Sequence, residues 1–151
     1  MTPRAKKKVI LLAEDDEDDY MLMRDALEGA HLTNELHRVE DGEALMDYLH
    51  RRNTFRDEKT SPVPGLILLD LNMPRKDGRE CLREIKADPR LRAIPIVVFT
   101  TSKAEEEVLS SYQLGANSFI QKPVSFEDLV EVMRVLGRFW FEIAEIPAPV
   151  Q

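Results

Sequence analysis

Five residues at four places in the chain have side chains suited to phosphoryl chemistry. Glu14 and Asp15 open a run of six acids, "EDDEDD", directly after the apolar stretch "VILLA". Asp70 closes "GLILLD", Thr100 closes "PIVVFT", and Lys122 follows "NSFIQ". Each alone has an ordinary reading: a solvated helix start, a turn-former, a capping hydroxyl, a lysine that snorkels outward. Together they would place carboxylates, a hydroxyl and an ammonium around one cleft. Two carboxylates about 4 Å apart repel by roughly 4 kcal/mol at an effective dielectric near 20. Crowded acids therefore need a counter-ion, or one of them takes up a proton. An all-oxygen set with few protein ligands suits Mg²⁺. A lysine and a hydroxyl beside such a cation gain a role when a phosphoryl group arrives.

For these residues to meet, the elements that carry them must end at one edge. The apolar runs Val9–Ala13, Leu66–Asp70, Pro95–Thr100 and Ser118–Gln121 lack alternation, as strands covered on both faces do. "ELHRVE" (Glu35–Glu40) is a weaker strand candidate. Helical patterns lie between them. Leu22, Ala26 and Leu27 share a face in the first, and Asp41 is placed to cap the second. Leu82 and Ile85 mark a third, which "ADPR" should end at Pro89. Val108, Leu109 and Tyr112 mark a fourth, closed by Gly115 with a left-handed backbone. Ser125 is placed to cap the last, with Asp128 three residues on. Five β-α repeats imply an α/β fold, a doubly wound parallel sheet with helices on both faces. Ligand sites in such folds lie outside the carboxyl ends of the strands, where Asp15, Asp70, Thr100 and Lys122 are expected.

The bulk composition narrows the classes. The chain has 151 residues, 43% hydrophobic and 32% charged, which suits one globular domain. A net charge of −7 weighs against a broad nucleic-acid surface. A single cysteine, Cys81, excludes an intramolecular disulfide and a multi-cysteine zinc site. No apolar run has the length of a membrane span, and no signal peptide is evident, so a cytoplasmic location with no membrane partner is expected. His31, His37 and His50 have no metal-ligand spacing and read as surface residues. No GxGxxG or P-loop motif is present.

Four segments carry a family likeness: "ILLAEDD" (Ile10–Asp16), "LILLDLNMPRKDG" (Leu66–Gly78), "PIVVFTTS" (Pro95–Ser102) and "GANSFIQKP" (Gly115–Pro123). In that order and spacing the sequence resembles the receiver domain of two-component response regulators, across nearly the whole chain. The resemblance implies a flavodoxin-like (βα)5 fold with five parallel strands in the order 2-1-3-4-5. It implies that Asp70 is the phosphoacceptor, and that Glu14 and Asp15 position Mg²⁺ (or Mn²⁺) with Asp70 and the backbone carbonyl of Asn72. Glu14 departs from the commoner Asp of the family. Thr100 and Lys122 would bind the phosphoryl group, with a cis peptide between Lys122 and Pro123. Thr100 and Phe119 would form the switch, and Asn72, Thr101 and Ser102 would tune the lifetime of the aspartyl phosphate. The implied function is phosphoryl transfer from a sensor histidine kinase to Asp70 in a phosphorelay. That is the work of a signalling protein, not an enzyme beyond slow reactions with itself. A phosphorylation-independent adaptor is the alternative. A phosphohydrolase of the haloacid dehalogenase type would need a second Asp where Asn72 stands.

Residues 1–7 read as a basic tail, 8–136 as the receiver, 51–65 as a loop insertion, and 137–151 as an extension continuing the last helix with no output domain attached. The insertion and the tail look like the phytochrome-associated subgroup, which would make a bacteriophytochrome the kinase. In the last helix, Leu129, Met133, Leu136 and Trp140 form one stripe, and Val132, Val135, Phe139 and Ile143 an adjoining one. That apolar face is wider than one sheet face requires. A homodimer through this helix, with Phe139, Trp140 and Phe141 at the contact, is expected; the alternative is that these residues fold back on their own domain. Of the opening acids, Glu14 and Asp15 are expected to face the site, and Glu17, Asp18 and Asp19 to stay solvated.

Overall fold

The computed structural model describes residues 8–101 and 104–145. The chain alternates strand and helix throughout. The strands are β1 (Ile10–Ala13), β2 (Leu36–Val39), β3 (Leu66–Leu69), β4 (Ile96–Thr100) and β5 (Ser118–Gln121). The helices are α1 (Glu17–Gly29), α2 (Gly42–Leu49), α3 (Gly78–Ala87), α4 (Glu105–Gln113) and α5 (Phe126–Gly137). All five strands pair in parallel in the order β2-β1-β3-β4-β5, the flavodoxin-like arrangement. Among the described residues, no helix is long and apolar enough to cross a membrane.

The continuous apolar strands divide their side chains between two cores, because successive residues point to opposite faces. Leu11, Ala13, Ile67, Leu69, Ile96 and Val98 meet α2 and α3 through Leu45, Met46, Leu82 and Ile85. Ile10, Leu12, Leu66, Leu68, Val97 and Phe99 meet α1 and α5 through Met23, Ala26, Leu27, Leu129 and Met133. The helices start where short polar side chains satisfy free amides. Asp16 accepts from the Asp19 amide at 3.0 Å, Asp41 from Ala44 at 2.8 Å, and Ser125 from Asp128 at 3.1 Å. α3 ends one residue before Asp88, whose successor Pro89 cannot continue it. Gly115 follows α4 with φ +109°, the left-handed conformation expected there.

Three regions show detail that their sequence pattern did not carry. Leu109 and Tyr112 of α4 face solvent, since α4 lies beside β5 and only Ser111 is buried on that helix. The insertion is anchored: the Tyr48 hydroxyl donates to the Pro62 carbonyl at 2.6 Å, and Arg51 donates to the Ser61 carbonyl at 3.0 Å. A single 3-10 turn, Asn53–Phe55, sits inside it. Beyond Gly137 the chain widens into a π-helical segment, Arg138–Ile143. Trp140 and Phe141 pack with Leu136 against the core on the α1 side and stay half-buried. Phe139 lies edge-on to Trp140 with ring centres 5.1 Å apart and stays exposed. His31 and His50 are exposed, and His37 is half-buried. Cys81 is buried, as expected of a packing residue, with its thiol directed to the Gly42 carbonyl.

Candidate functional site

Strand register brings the chemical residues together. Ala13 pairs with Leu69, so the next residues, Glu14 and Asp70, leave the sheet side by side. The Asp70 amide donates to the Ala13 carbonyl at 3.1 Å and the Glu14 amide to the Val39 carbonyl at 3.0 Å, extending the ladders past the strands. Thr100 pairs with Gln121, and the Lys122 amide then donates to the Thr100 carbonyl at 2.8 Å. Four strand ends thus converge on one side of the sheet.

Asp70 sits at the centre, 6% exposed, between Glu14 at 2% and Thr100 at 0%. Its Oδ1 accepts from the Thr100 hydroxyl at 3.0 Å and from the Asn72 amide at 3.1 Å. Its Oδ2 accepts from the Lys122 ammonium at 3.1 Å. The same ammonium donates to Glu14 Oε1 and, at 3.0 Å, to Asp19 Oδ2. Asn72 Nδ2 reaches the Thr100 hydroxyl at 3.5 Å. A lysine with three carboxylates is a charge-assisted cluster with acid in excess. Burial pushes the Glu14 carboxyl up to about 7, with the Asp70 charge adding to the rise and Lys122 opposing it. Burial alone would lower the Lys122 ammonium, but its carboxylate partners, Glu14 foremost, overcome that and raise it.

Carboxylate oxygens of Glu14, Asp15 and Asp70 lie within 4.8 Å of one another. This all-oxygen, acid-rich set fits a hard divalent cation.

Two glycines permit the close approach. A Cβ on Gly78 would lie 2.5 Å from the Asp70 carbonyl oxygen and 2.8 Å from Leu71 Cα. The Gly78 amide donates to the Leu71 carbonyl at 3.1 Å, so the start of α3 is pressed against the Asp70 backbone. A Cβ on Gly42 would collide with the Lys76 backbone, which brings the Asn72–Asp77 loop against α2.

Of the predicted residues, Glu14, Asp15, Asp70, Asn72, Thr100 and Lys122 come together here. Thr101 is exposed at the rim, and Ser102 lies outside the described residues. Phe119 is half-buried, packed against the core on the α2 and α3 side, with its amide on the Tyr112 hydroxyl at 3.2 Å. The Lys122–Pro123 peptide is trans, correcting the cis expectation. Trans is the lower-energy isomer even before proline, and Lys122 already reaches Asp70 from it.

Sequence reasoning missed two residues. Asp19 is half-buried on Lys122 rather than solvated, because the first turn of α1 folds over the site. Its place one turn past Glu14 and Asp15 was the available signal. Arg38, on β2, donates from Nε to the Glu14 carbonyl at 3.0 Å and from Nη2 to the Asp15 carbonyl at 3.1 Å. Nothing in "ELHRVE" sets this arginine apart.

Comparisons with known proteins agree with this geometry. Residues 10–134 match the response regulator receiver domain model. The chain is 43% identical to Response regulator Rcp1 of Synechocystis over 141 residues, 93% of this chain and 94% of that protein. The Mn²⁺-bound form of Rcp1 superposes with a TM-score of 0.83 at 42% identity, covering 93% of this chain and 99% of that one. The phosphorylated cyanobacterial phytochrome response regulator RcpA gives 0.87 at 38% identity, covering 95% and 100%. With this sheet order, this acidic cluster and this extent of match, the chain belongs to the response regulator receiver domain family.

Proposed function

We propose that this chain is the phosphoacceptor partner of a phytochrome-type sensor histidine kinase and carries the signal as an aspartyl phosphate on Asp70. The observation that carries the reading is the set of donors on the Asp70 carboxylate: Thr100 and Asn72 on one oxygen, Lys122 on the other. The likeness to proteins described as phytochrome response regulators supports the choice of kinase.

In the transfer step an Asp70 oxygen attacks the phosphorus of a phosphohistidine. A P–O bond forms, the P–N bond breaks, and the imidazole leaves with the electron pair. Positioning and charge neutralisation supply the acceleration. Glu14, Asp15, Asp70 and the Asn72 carbonyl hold Mg²⁺ or Mn²⁺, which when bound neutralises charge on the phosphoryl oxygens. Lys122 pairs with the same group, and the Thr100 hydroxyl turns from Asp70 Oδ1 to a phosphoryl oxygen. Phe119 follows into the space Thr100 leaves, which makes α4, β5 and α5 the surface that is read. Such a switch moves only as far as the phosphoryl group prefers one state over the other. Asn72 and Thr101 stand where the water that ends the signal would approach, and with Ser102 they tune how long the aspartyl phosphate lasts.

The protein acts in the cytoplasm as a homodimer, without nucleic acid or membrane. Val135, Phe139 and Ile143 stand one turn apart and are 58%, 48% and 61% exposed, a stripe that a second copy would cover. Light scattering checks this part: the chain cut after Gly137 runs as a monomer while the full chain does not.

The main test is incubation with acetyl phosphate and Mg²⁺, followed by intact mass. One added phosphoryl group, absent in Asp70→Asn and in EDTA, is expected. No added mass on the wild-type chain overturns the reading.

A further inference from the structure

The guanidinium of Arg38 uses all three nitrogens. Nε and Nη2 take the carbonyls of Glu14 and Asp15, and Nη1 lies 3.3 Å from Glu40 Oε1. The group also lies over the Tyr20 ring, 5.0 Å from its centre, and its side chain is only 14% exposed. A planar fork that spans two successive carbonyls is a geometry arginine offers and lysine does not. β2 lies beside β1, so this contact passes from β2 to the segment just beyond the end of β1.

The held carbonyls have a direct connection to the acids. A trans peptide points its C=O and N–H in opposite directions. In the Asp15–Asp16 peptide, the carbonyl is on Arg38 and the amide donates to Glu14 Oε2 at 3.2 Å. One rigid plane therefore transmits the hold of Arg38 to the carboxylate of Glu14. On the other side, Glu14 Oε1 is on Lys122. Glu14 is fixed between a backbone amide oriented by Arg38 and the ammonium that also meets Asp70. Asp15, whose carbonyl carries the second bond, is exposed, and its backbone is held in place by Arg38.

We propose that Arg38 is a positioning residue for the cation site, holding the Glu14–Asp15 backbone so that both carboxylates face Asp70. This rests on the cation reading above and goes beyond it, since Arg38 itself offers no ligand. Its loss frees two carbonyls to turn and lets the Asp16 amide leave Glu14. Partners of metal ligands typically alter affinity by about 10- to 100-fold.

The test uses the full chain, unphosphorylated. Mn²⁺ affinity is measured by calorimetry, and exchange of the Asp16 amide is followed by NMR in EDTA. Arg38→Ala is expected to weaken Mn²⁺ binding by about tenfold and to speed Asp16 exchange. Arg38→Lys, which keeps the charge but not the fork, falls in between. Arg24→Ala is the control, because Arg24 also lies over Tyr20, 5.9 Å from the ring centre, while its ion pair is to Asp25. It is expected to change neither readout. If Arg38→Ala does not fold, Arg38→Lys carries the test. Affinity and exchange indistinguishable from wild type in the folded variant, or an equal loss in Arg24→Ala, overturn the role of Arg38. A wild-type chain that binds no Mn²⁺ overturns the cation reading, and this role with it.

Discussion

The Lys122 ammonium lies 3.1 Å from Asp70 Oδ2, although the two residues follow strands, β5 and β3, that do not pair with each other. Glu14 and Asp19 take the other positions on that ammonium, so one cation is divided among three acids. With Lys122→Ala, buried Glu14 and Asp70 face each other without it. Breaking a buried pair in this way costs about 3–5 kcal/mol. Urea unfolding in EDTA is expected to show a loss of that order, and excess Mg²⁺ is expected to recover part of it. A loss identical with and without Mg²⁺ would count against a shared site.

The six acids divide by position. Asp15→Ala is expected to abolish Mg²⁺-dependent labelling by acetyl phosphate. Asp18→Ala, on the exposed side of α1, leaves the rate within about twofold, as surface changes away from such features usually do. Asp19→Asn keeps the shape and removes one partner charge from Lys122. Its labelling rate is expected to differ from wild type by more than that of Asp18→Ala, and equal rates for the two would return Asp19 to the solvated set.

Gly78 is the position where backbone meets backbone. Gly78→Ala must displace either Leu71 or the Asp70 carbonyl, and forced packing of this kind costs about 1–3 kcal/mol. Because the displaced segment carries Asp70, labelling should fall together with the melting temperature. A variant of wild-type stability and rate would show that the loop yields freely.

Burial pushes the Cys81 thiol up to about 12, well above the ordinary cysteine near 8.5. The folded state therefore keeps the proton where the unfolded chain releases it. Its contribution to stability is full below the unfolded pKa and declines as pH rises beyond it, by at most about 1.4 kcal/mol per pH unit. Urea unfolding at pH 8 and pH 9.5 should show a fall in wild type that is smaller in Cys81→Ala. In the folded chain at pH 8, Cys81 should also resist thiol reagents. Prompt modification of the native protein would contradict both statements.

The sequence by itself determined the order of elements and the residues of the central cluster. Uniform apolar runs demand cover on both faces, and a parallel sheet requires its strand ends, hence Glu14, Asp70, Thr100 and Lys122, to lie on one side. Asp41, Ser125 and Gly115 were legible for a similar reason, since caps and left-handed turns are local chemistry. What lay outside its reach depends on distance across the fold. Whether Asp19 faces water or Lys122 depends on how α1 closes over the site, and Arg38 acquires its role only when β2 pairs beside β1. The apolar residues after Gly137 show the same limit. Their periodicity announced two stripes, but only packing against α1 decided that Trp140 and Phe141 turn inward while Val135, Phe139 and Ile143 remain open. Hydrophobic pattern records that a side chain is to be covered, and tertiary structure decides by what.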